Sequence, residues 1–363
     1  MENKQKILFV GQNLCVGGVQ TAFINHLHKI SKNPQYDITV FLFSGGALYD
    51  RIPDNVTVLF GNRLLNLISL PFSEVKSDKN IFKTLIRAGS VLVARLIGVE
   101  RFYRMCFKKL PTKYDVAVSY FTDGLSGTFN RGTNLFVSEY VHADTKATWI
   151  HNDPILAEFD RDYCRKLYKP FDKIVCVSDA VREKFNQFLP EYQDKTLTFH
   201  NVFDAEKIQS LANEYLPFEK TGFDIVTVAR ADNKQKRIDG ILYVCKRLKD
   251  EGITDFRWRI VGDGPSLEPN RELSKALDVA DLVTLEGEKT NPYPYILASD
   301  LFALYSAYEG YPMVVGEAQA LGTHILTTNY AAAKEQITAE QGYVAENDED
   351  FYQELKRLIQ CRS

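Results

Sequence analysis

Residues 6–30 read KILFVGQNLCVGGVQTAFINHLHKI. Lys6–Gly11 is a short apolar run rich in β-formers, and the pair Gly17-Gly18 follows. Thr21–Ile30 then places Ala22, Phe23, Leu27 and Ile30 on one side of a helix. Strand, glycine loop, helix is the opening of a doubly wound α/β domain. Further along, Asp37–Phe43, Val56–Phe60, Val116–Tyr120 and Leu135–Val141 are strand candidates. Lys173–Val177 runs into Ser178, the expected cap of a helix over Ala180–Phe188. The pattern restarts near Phe223. Asp224–Ala229, Trp258–Val261, Leu282–Leu285, Leu301–Tyr305 and His324–Thr328 are apolar strands, with helices over Ile238–Leu248 and Ser266–Leu277. Near-continuous apolar strands suit a parallel sheet covered on both faces. The segment Asn201–Lys220 is the expected hinge region.

The chain has 363 residues, 45% apolar and 25% charged. At roughly 150 residues per domain that suggests two domains, and it argues against disorder and fibrous repeats. The net charge of −3 argues against a general nucleic-acid binder. The total hides an uneven distribution. From Lys76 to Lys113 ten Lys and Arg face only Asp78 and Glu100, a net +8, which leaves −11 elsewhere. The six cysteines (Cys15, Cys106, Cys164, Cys176, Cys245, Cys361) form no CxxC pair and match no zinc spacing, so reduced cytosolic thiols are expected. The N-terminus reads as a first strand, not a signal peptide, and no stretch of about 18 uninterrupted apolar residues appears.

Ligands of such sheets sit beyond the C-terminal strand ends. The candidate residues lie there. Glu309-Gly310-Tyr311-Pro312-Met313-Val314-Val315-Gly316-Glu317 follows the strand Leu301–Tyr305. Pro312 suits a helix start, and amides around Met313–Val315 would then offer an anion site. Arg230 and Lys236 follow Asp224–Ala229 and are suited to clamping a diphosphate, or belong to a solvated loop. Gly11–Gly18 is not GxGxxG, so no dinucleotide fingerprint is present. Its Gly17-Gly18 pair still lets a ligand approach the backbone, or makes a plain turn. His151, in Trp149-Ile150-His151-Asn152-Asp153-Pro154, ends an apolar run in a polar turn. Asp160-Arg161-Asp162 and Asp348-Glu349-Asp350 spell DxD but follow no strand, and read as solvated faces.

Together, Gly17-Gly18, WIHNDP, VCVSDAVREKF, HNVFD, the Arg230/Lys236 pair, VGDGP and EGYPMVVGEA resemble the retaining glycosyltransferases of glycosyltransferase family 4. That group includes bacterial capsule, lipopolysaccharide and cell-wall sugar transferases. The resemblance covers nearly the whole chain, and the E-x7-E signature is its most specific part. It implies the GT-B fold, two Rossmann-like domains facing across a cleft. Residues 1–204 would form the acceptor-side domain and 205–345 the nucleotide-sugar donor domain, with a helix over 346–363 packing back towards the N-terminal domain.

By the same resemblance Arg230 and Lys236 hold the donor diphosphate. Glu309 contacts sugar hydroxyls, Glu317 contacts the ribose, and the amides from Tyr311 to Val315, after Gly310, meet phosphates or sugar. Gly17 and Gly18 line the phosphate side, and His151 sits near the reacting carbon. The loop Leu285–Lys289 is where the base should lie. Arg237 stands where many relatives have glycine. No cofactor or metal is expected, because cations and helix amides stabilise charge developing on the leaving diphosphate. The expected partners are a nucleotide-sugar donor, most simply UDP-linked, and a lipid-linked or polysaccharide acceptor.

Ile81–Leu110 interleaves apolar residues with Lys and Arg, which suits an anionic membrane surface or a solvated helix pair. The expected place is therefore cytoplasmic, peripheral on the inner face of the membrane. A non-catalytic GT-B partner subunit and a nucleotide-cofactor dehydrogenase are the competing readings.

Overall fold

The computed structural model describes residues 4–124 and 131–361. The chain divides into two units between Val202 and Phe203. The first holds seven strands: β1 Gln5–Gly11, β2 Tyr36–Leu42, β3 Thr57–Phe60, β4 Lys113–Ser119, β5 His142–Ile150, β6 Lys173–Cys176 and β7 Thr196–Thr198. Their order in the sheet is β3-β2-β1-β4-β5-β6-β7, and every pairing is parallel. The second unit holds β8 Phe223–Val228, β9 Phe256–Val261, β10 Val283–Gly287, β11 Leu301–Leu304, β12 His324–Thr328 and β13 Gly342–Ala345. Their order is β10-β9-β8-β11-β12-β13, again all parallel.

Both sheets reverse their strand order once, between β1 and β4 and between β8 and β11. At such a point the loops leaving two neighbouring strands diverge to opposite faces and leave room for a ligand. Each sheet has its own core. Leu8, Val10, Phe41, Phe43, Phe107 and Phe136 pack in the first, with the Phe41 and Phe136 rings stacked 4.6 Å apart. Ile225, Trp258, Ile260, Leu301, Ala303 and Leu326 pack in the second. The polar groups of Trp258 and Thr227, buried there, find partners. The Trp258 indole donates to the Thr227 hydroxyl (3.0 Å), which donates to the Ala303 carbonyl (2.6 Å) and ties β9, β8 and β11 together.

One expectation needs correction. Leu135–Val141 is not a strand. Thr133–Tyr140 is a helix with Leu135, Phe136 and Val137 buried, and the strand is His142–Ile150. A short apolar run fits either element, and here a remote group decides. The Asp123 carboxylate accepts from the amides of Gly132 (3.1 Å) and Asn134 (3.0 Å) and caps the helix. The expected hinge region carries a helix of its own. Ala205–Ala212 is a helix capped by Asp204, with Ile208 and Ala212 buried. The helix Asp348–Gln360 buries its apolar side. Phe351, Tyr352, Leu355 and Ile359 are in the second unit's own core, beside Leu326 and Ala345.

Candidate functional site

The second unit's reversal point is flanked by two loops. The first leaves β8 as Ala229-Arg230-Ala231. It is pressed against the loop after β9, where the Ala231 amide donates to Asp263 O and the Ser266 amide to Ala231 O. Gly262 makes this approach possible. Its φ is +144°, and a Cβ there would lie 1.9 Å from the Ala229 carbonyl oxygen. Asp232 then caps the short helix Asn233–Lys236 by accepting from the Lys234 amide. Arg230 is exposed and forms no ion pair with the described residues. That leaves its planar fork available to an anionic ligand.

The second loop leaves β11 and carries Glu309. The two loops are joined directly. The Ala307 amide donates to Gln235 O (2.7 Å), and the Gln235 amide group donates to Tyr308 O (3.3 Å) and Glu309 Oε2 (3.4 Å). The Lys236 ammonium pairs with Glu309 Oε1. These side chains are only 14% and 7% exposed, so each charge needs the other. Thus Lys236 and Glu309, 73 residues apart, meet at the reversal point. Gln235, absent from the sequence reading, holds the second carboxylate oxygen. Its only sequence signal is its place between the two cations.

After Glu309, the buried Gly310 and half-buried Tyr311 lead into the helix Met313–Leu321. Pro312 stands at its N-cap, one position earlier than a first-turn proline. No side chain caps the helix, so the first-turn amides at Met313, Val314 and Val315 present partial positive charge. Gly316 lies against the Phe203 ring, where a Cβ would come within 2.3 Å. Glu317 is buried in the second turn, and burial pushes its carboxyl up to about 7. The Tyr293 hydroxyl, 3.5 Å from Oε1, works against that rise.

Arg237 is engaged by a carboxylate of the protein itself. It sits in the left-handed region at φ +49°, forks onto Asp348 (3.0 and 2.6 Å) and lies 4.3 Å over the Tyr305 ring. The left-handed backbone explains why glycine suits this position. It also places the second DxD segment: Asp348 holds Arg237, while Glu349 holds Arg247. In the first DxD, Asp160 caps the helix Arg161–Tyr168. The expected base loop Leu285–Lys289 is partly strand, since β10 runs to Gly287 with a bulge after Leu285.

In the first unit Gly17 is the extended N-cap of the helix Gly18–Ile30, again without a side-chain cap. His151 follows β5 directly. It is buried, with Nε2 2.6 Å from the Tyr120 carbonyl oxygen. A carbonyl only accepts, so Nε2 carries the proton and Nδ1 is left as an acceptor. Burial pushes this imidazole down to about 4, so it is neutral at physiological pH. Asp123, after β4, is a second buried group that the sequence reading missed, and burial raises it to about 6.

Residues 212–363 match the family model described as Glycosyl transferases group 1. Arg230, Lys236, Glu309 and Glu317 all lie inside that match. The crystal structure of Anabaena Alr3699/HepE in complex with UDP-glucose superposes with a TM-score of 0.64 and 16% identity, covering 98% of this chain and 90% of that one. The fold is GT-B.

Among relatives by sequence is the Campylobacter jejuni N-acetylgalactosamine-N,N'-diacetylbacillosaminyl-diphospho-undecaprenol 4-alpha-N-acetylgalactosaminyltransferase. It is 27% identical over 198 residues, covering 53% of this chain and 52% of that protein. An Escherichia coli UDP-Gal:alpha-D-GlcNAc-diphosphoundecaprenol alpha-1,3-galactosyltransferase is 24% identical over 348 residues, covering 90% of this chain and 80% of that one. The chain spans about half the length of the first relatives it matches.

Proposed function

We propose that this GT-B protein is a retaining, hexosyl-type glycosyltransferase of family 4. It would move a sugar from a UDP-linked donor to a lipid-linked or polysaccharide acceptor in bacterial surface polysaccharide synthesis. The observation that carries the reading is the Lys236–Glu309 pair at the second reversal point, with Arg230 exposed earlier in the loop that carries Lys236 and an uncapped helix start after Glu309.

When the glycosidic C–O bond to the nucleotide breaks, its electron pair leaves with the β-phosphate and negative charge grows there. Arg230, Lys236 and the Met313–Val315 amides are fixed cationic or dipolar groups, which stabilise such charge without reorganising. They supply this without a metal in our proposal, so transfer should survive EDTA. Glu309 would orient the sugar hydroxyls and Glu317 the ribose. The first unit's contribution would be neutral: the Gly17 and Gly18 backbone and the His151 imidazole.

No carboxylate is placed as a nucleophile in this reading, so the acceptor hydroxyl enters on the face the nucleotide leaves. The diphosphate takes up the hydroxyl proton. Relatives named for diphospho-undecaprenol acceptors, one of them with a UDP-Gal donor, favour this donor and acceptor class. The protein would work peripherally on the cytoplasmic membrane face, through the basic segment 76–113. A thermal-shift series with UDP-, GDP- and ADP-sugars tests the donor, since whichever binds raises the unfolding midpoint. Anomer-resolved NMR of the first product tests retention; an inverted product sinks it.

A further inference from the structure

The helix Ile81–Ile97 is built inside out. At about 100° per residue, Phe82, Leu85, Ile86, Leu92, Val93 and Leu96 share one face. That face points away from the protein, with these six side chains between 43 and 77% exposed. The opposite face is buried and carries Arg87, Ser90 and Ala94. A helix that merely covers a domain does the reverse. Gly89, also on the outer face, would meet nothing within 4 Å if it carried a Cβ. No charged side chain interrupts the outer face; Lys83 and Arg95 flank it.

The charge around the face chooses its occupant. Lys76, Lys79, Arg95, Arg101, Lys108 and Lys109 are exposed and form no ion pair with the described residues. A second copy of the chain would bring a +8 segment against another +8 segment. An anionic lipid surface supplies opposite charge at headgroup level and hydrocarbon beneath it, matching the apolar face with its basic border. The helix has 17 residues, and no helix among the described residues is long and apolar enough to cross a membrane. Its geometry is that of a helix lying in the interface plane.

We infer that Ile81–Ile97 inserts its Phe82–Leu96 face into an anionic bilayer, with the neighbouring lysines and arginines on the headgroups. The inference deepens the lipid-linked acceptor reading, and that reading supplies its purpose. Insertion is tested with the full chain and vesicles of phosphatidylcholine, with or without phosphatidylglycerol. Trp149 and Trp258, the protein's two tryptophans, are buried, so a Phe82→Trp variant adds a separable signal.

The emission of that variant should shift to the blue, and be quenched by brominated acyl chains, only with the anionic vesicles. Leu92→Glu/Leu96→Glu should lower vesicle binding at least tenfold. These positions are exposed, so the unfolding midpoint and the UDP thermal shift should stay as in the parent. Equal binding by the parent and the double-glutamate variant would overturn the inference. So would an indole signal from Phe82→Trp that brominated chains leave unquenched, or a parent dimer that the glutamates dissociate. Vesicle insertion without any nucleotide-sugar shift would leave the inference standing and remove the sugar-transfer reading instead.

Discussion

The two sheets reverse their strand order in the same way, yet the edges beyond the reversals differ in chemistry. The second unit's edge is charged and paired: Lys236 on Glu309, Gln235 bracing the carboxylate, and Arg230 exposed earlier in the same loop as Lys236. The first unit's edge offers uncapped amides at Gly18 and a neutral His151, while its buried carboxylate Asp123 is taken up by the amides of Gly132 and Asn134. The architecture therefore fixes where groups converge, while the loops decide their charge. Burying a charge requires a partner: Asp123 finds backbone amides beside its own strand end, whereas the second unit brings opposite charges together from two strand ends.

The contrast breaks most sharply at Glu309. Glu309→Ala removes a proposed sugar contact and leaves the largely buried Lys236 without its partner. Transfer to acceptor should fall by about 10²–10³-fold, the scale of losing a transition-state contact; parent-like rates in a coupled UDP-release assay would reject the assignment. Arg230→Ala removes one charge-assisted contact, of about 1.5–3 kcal/mol. Donor KM should rise roughly 10- to 100-fold, with Lys236→Ala similar or worse.

The two edges should also respond oppositely to pH. The folded-state value of His151 is depressed to about 4, so the unfolded chain binds more protons between that value and about 6.5. Its contribution to stability rises with pH through that window. Glu317 is raised to about 7, so its contribution is complete below about 4.5 and is lost as pH rises through 7. Each shift has a ceiling on the order of 3 kcal/mol. Urea titrations of the parent, His151→Asn and Glu317→Gln from pH 4.5 to 8 read the two slopes separately. If Glu317→Gln leaves the slope between pH 5 and 7 unchanged, the carboxyl is not perturbed.

The smallest effect belongs to Arg237→Gly. It relieves a left-handed backbone, by about 1 kcal/mol, and loses a clamp on an Asp348 that is largely exposed, worth at most about 1 kcal/mol. Unfolding free energy should change by less than about 1 kcal/mol. A larger loss would show that the clamp supports the whole Lys236 turn.

Much of this was legible in local sequence. The strand–glycine–helix opening at residues 6–30 is found as strand Gln5–Gly11 and helix Gly18–Ile30. Ser178 caps its helix by accepting from the Val181 amide, as its place after an apolar strand implied. The run Leu135–Val141 was misread because its helix is capped by Asp123, which no local window joins to it. Gln235 was missed because an amide between two cations carries no pattern of its own.

Short-range order along the chain sets the alternation of strands and helices, the strand-end positions of Arg230 and Glu309, and the basic character of 76–113. These follow from periodicity and spacing, which act over one or two turns. Contacts between distant segments are needed to bring Lys236 to Glu309, to shift Glu317 and His151 by burial, and to turn the apolar face of the helix Ile81–Ile97 outward. Pairing, desolvation and exposure depend on neighbours that the fold brings in from remote parts of the chain, whereas periodicity says only that a helix has two different faces.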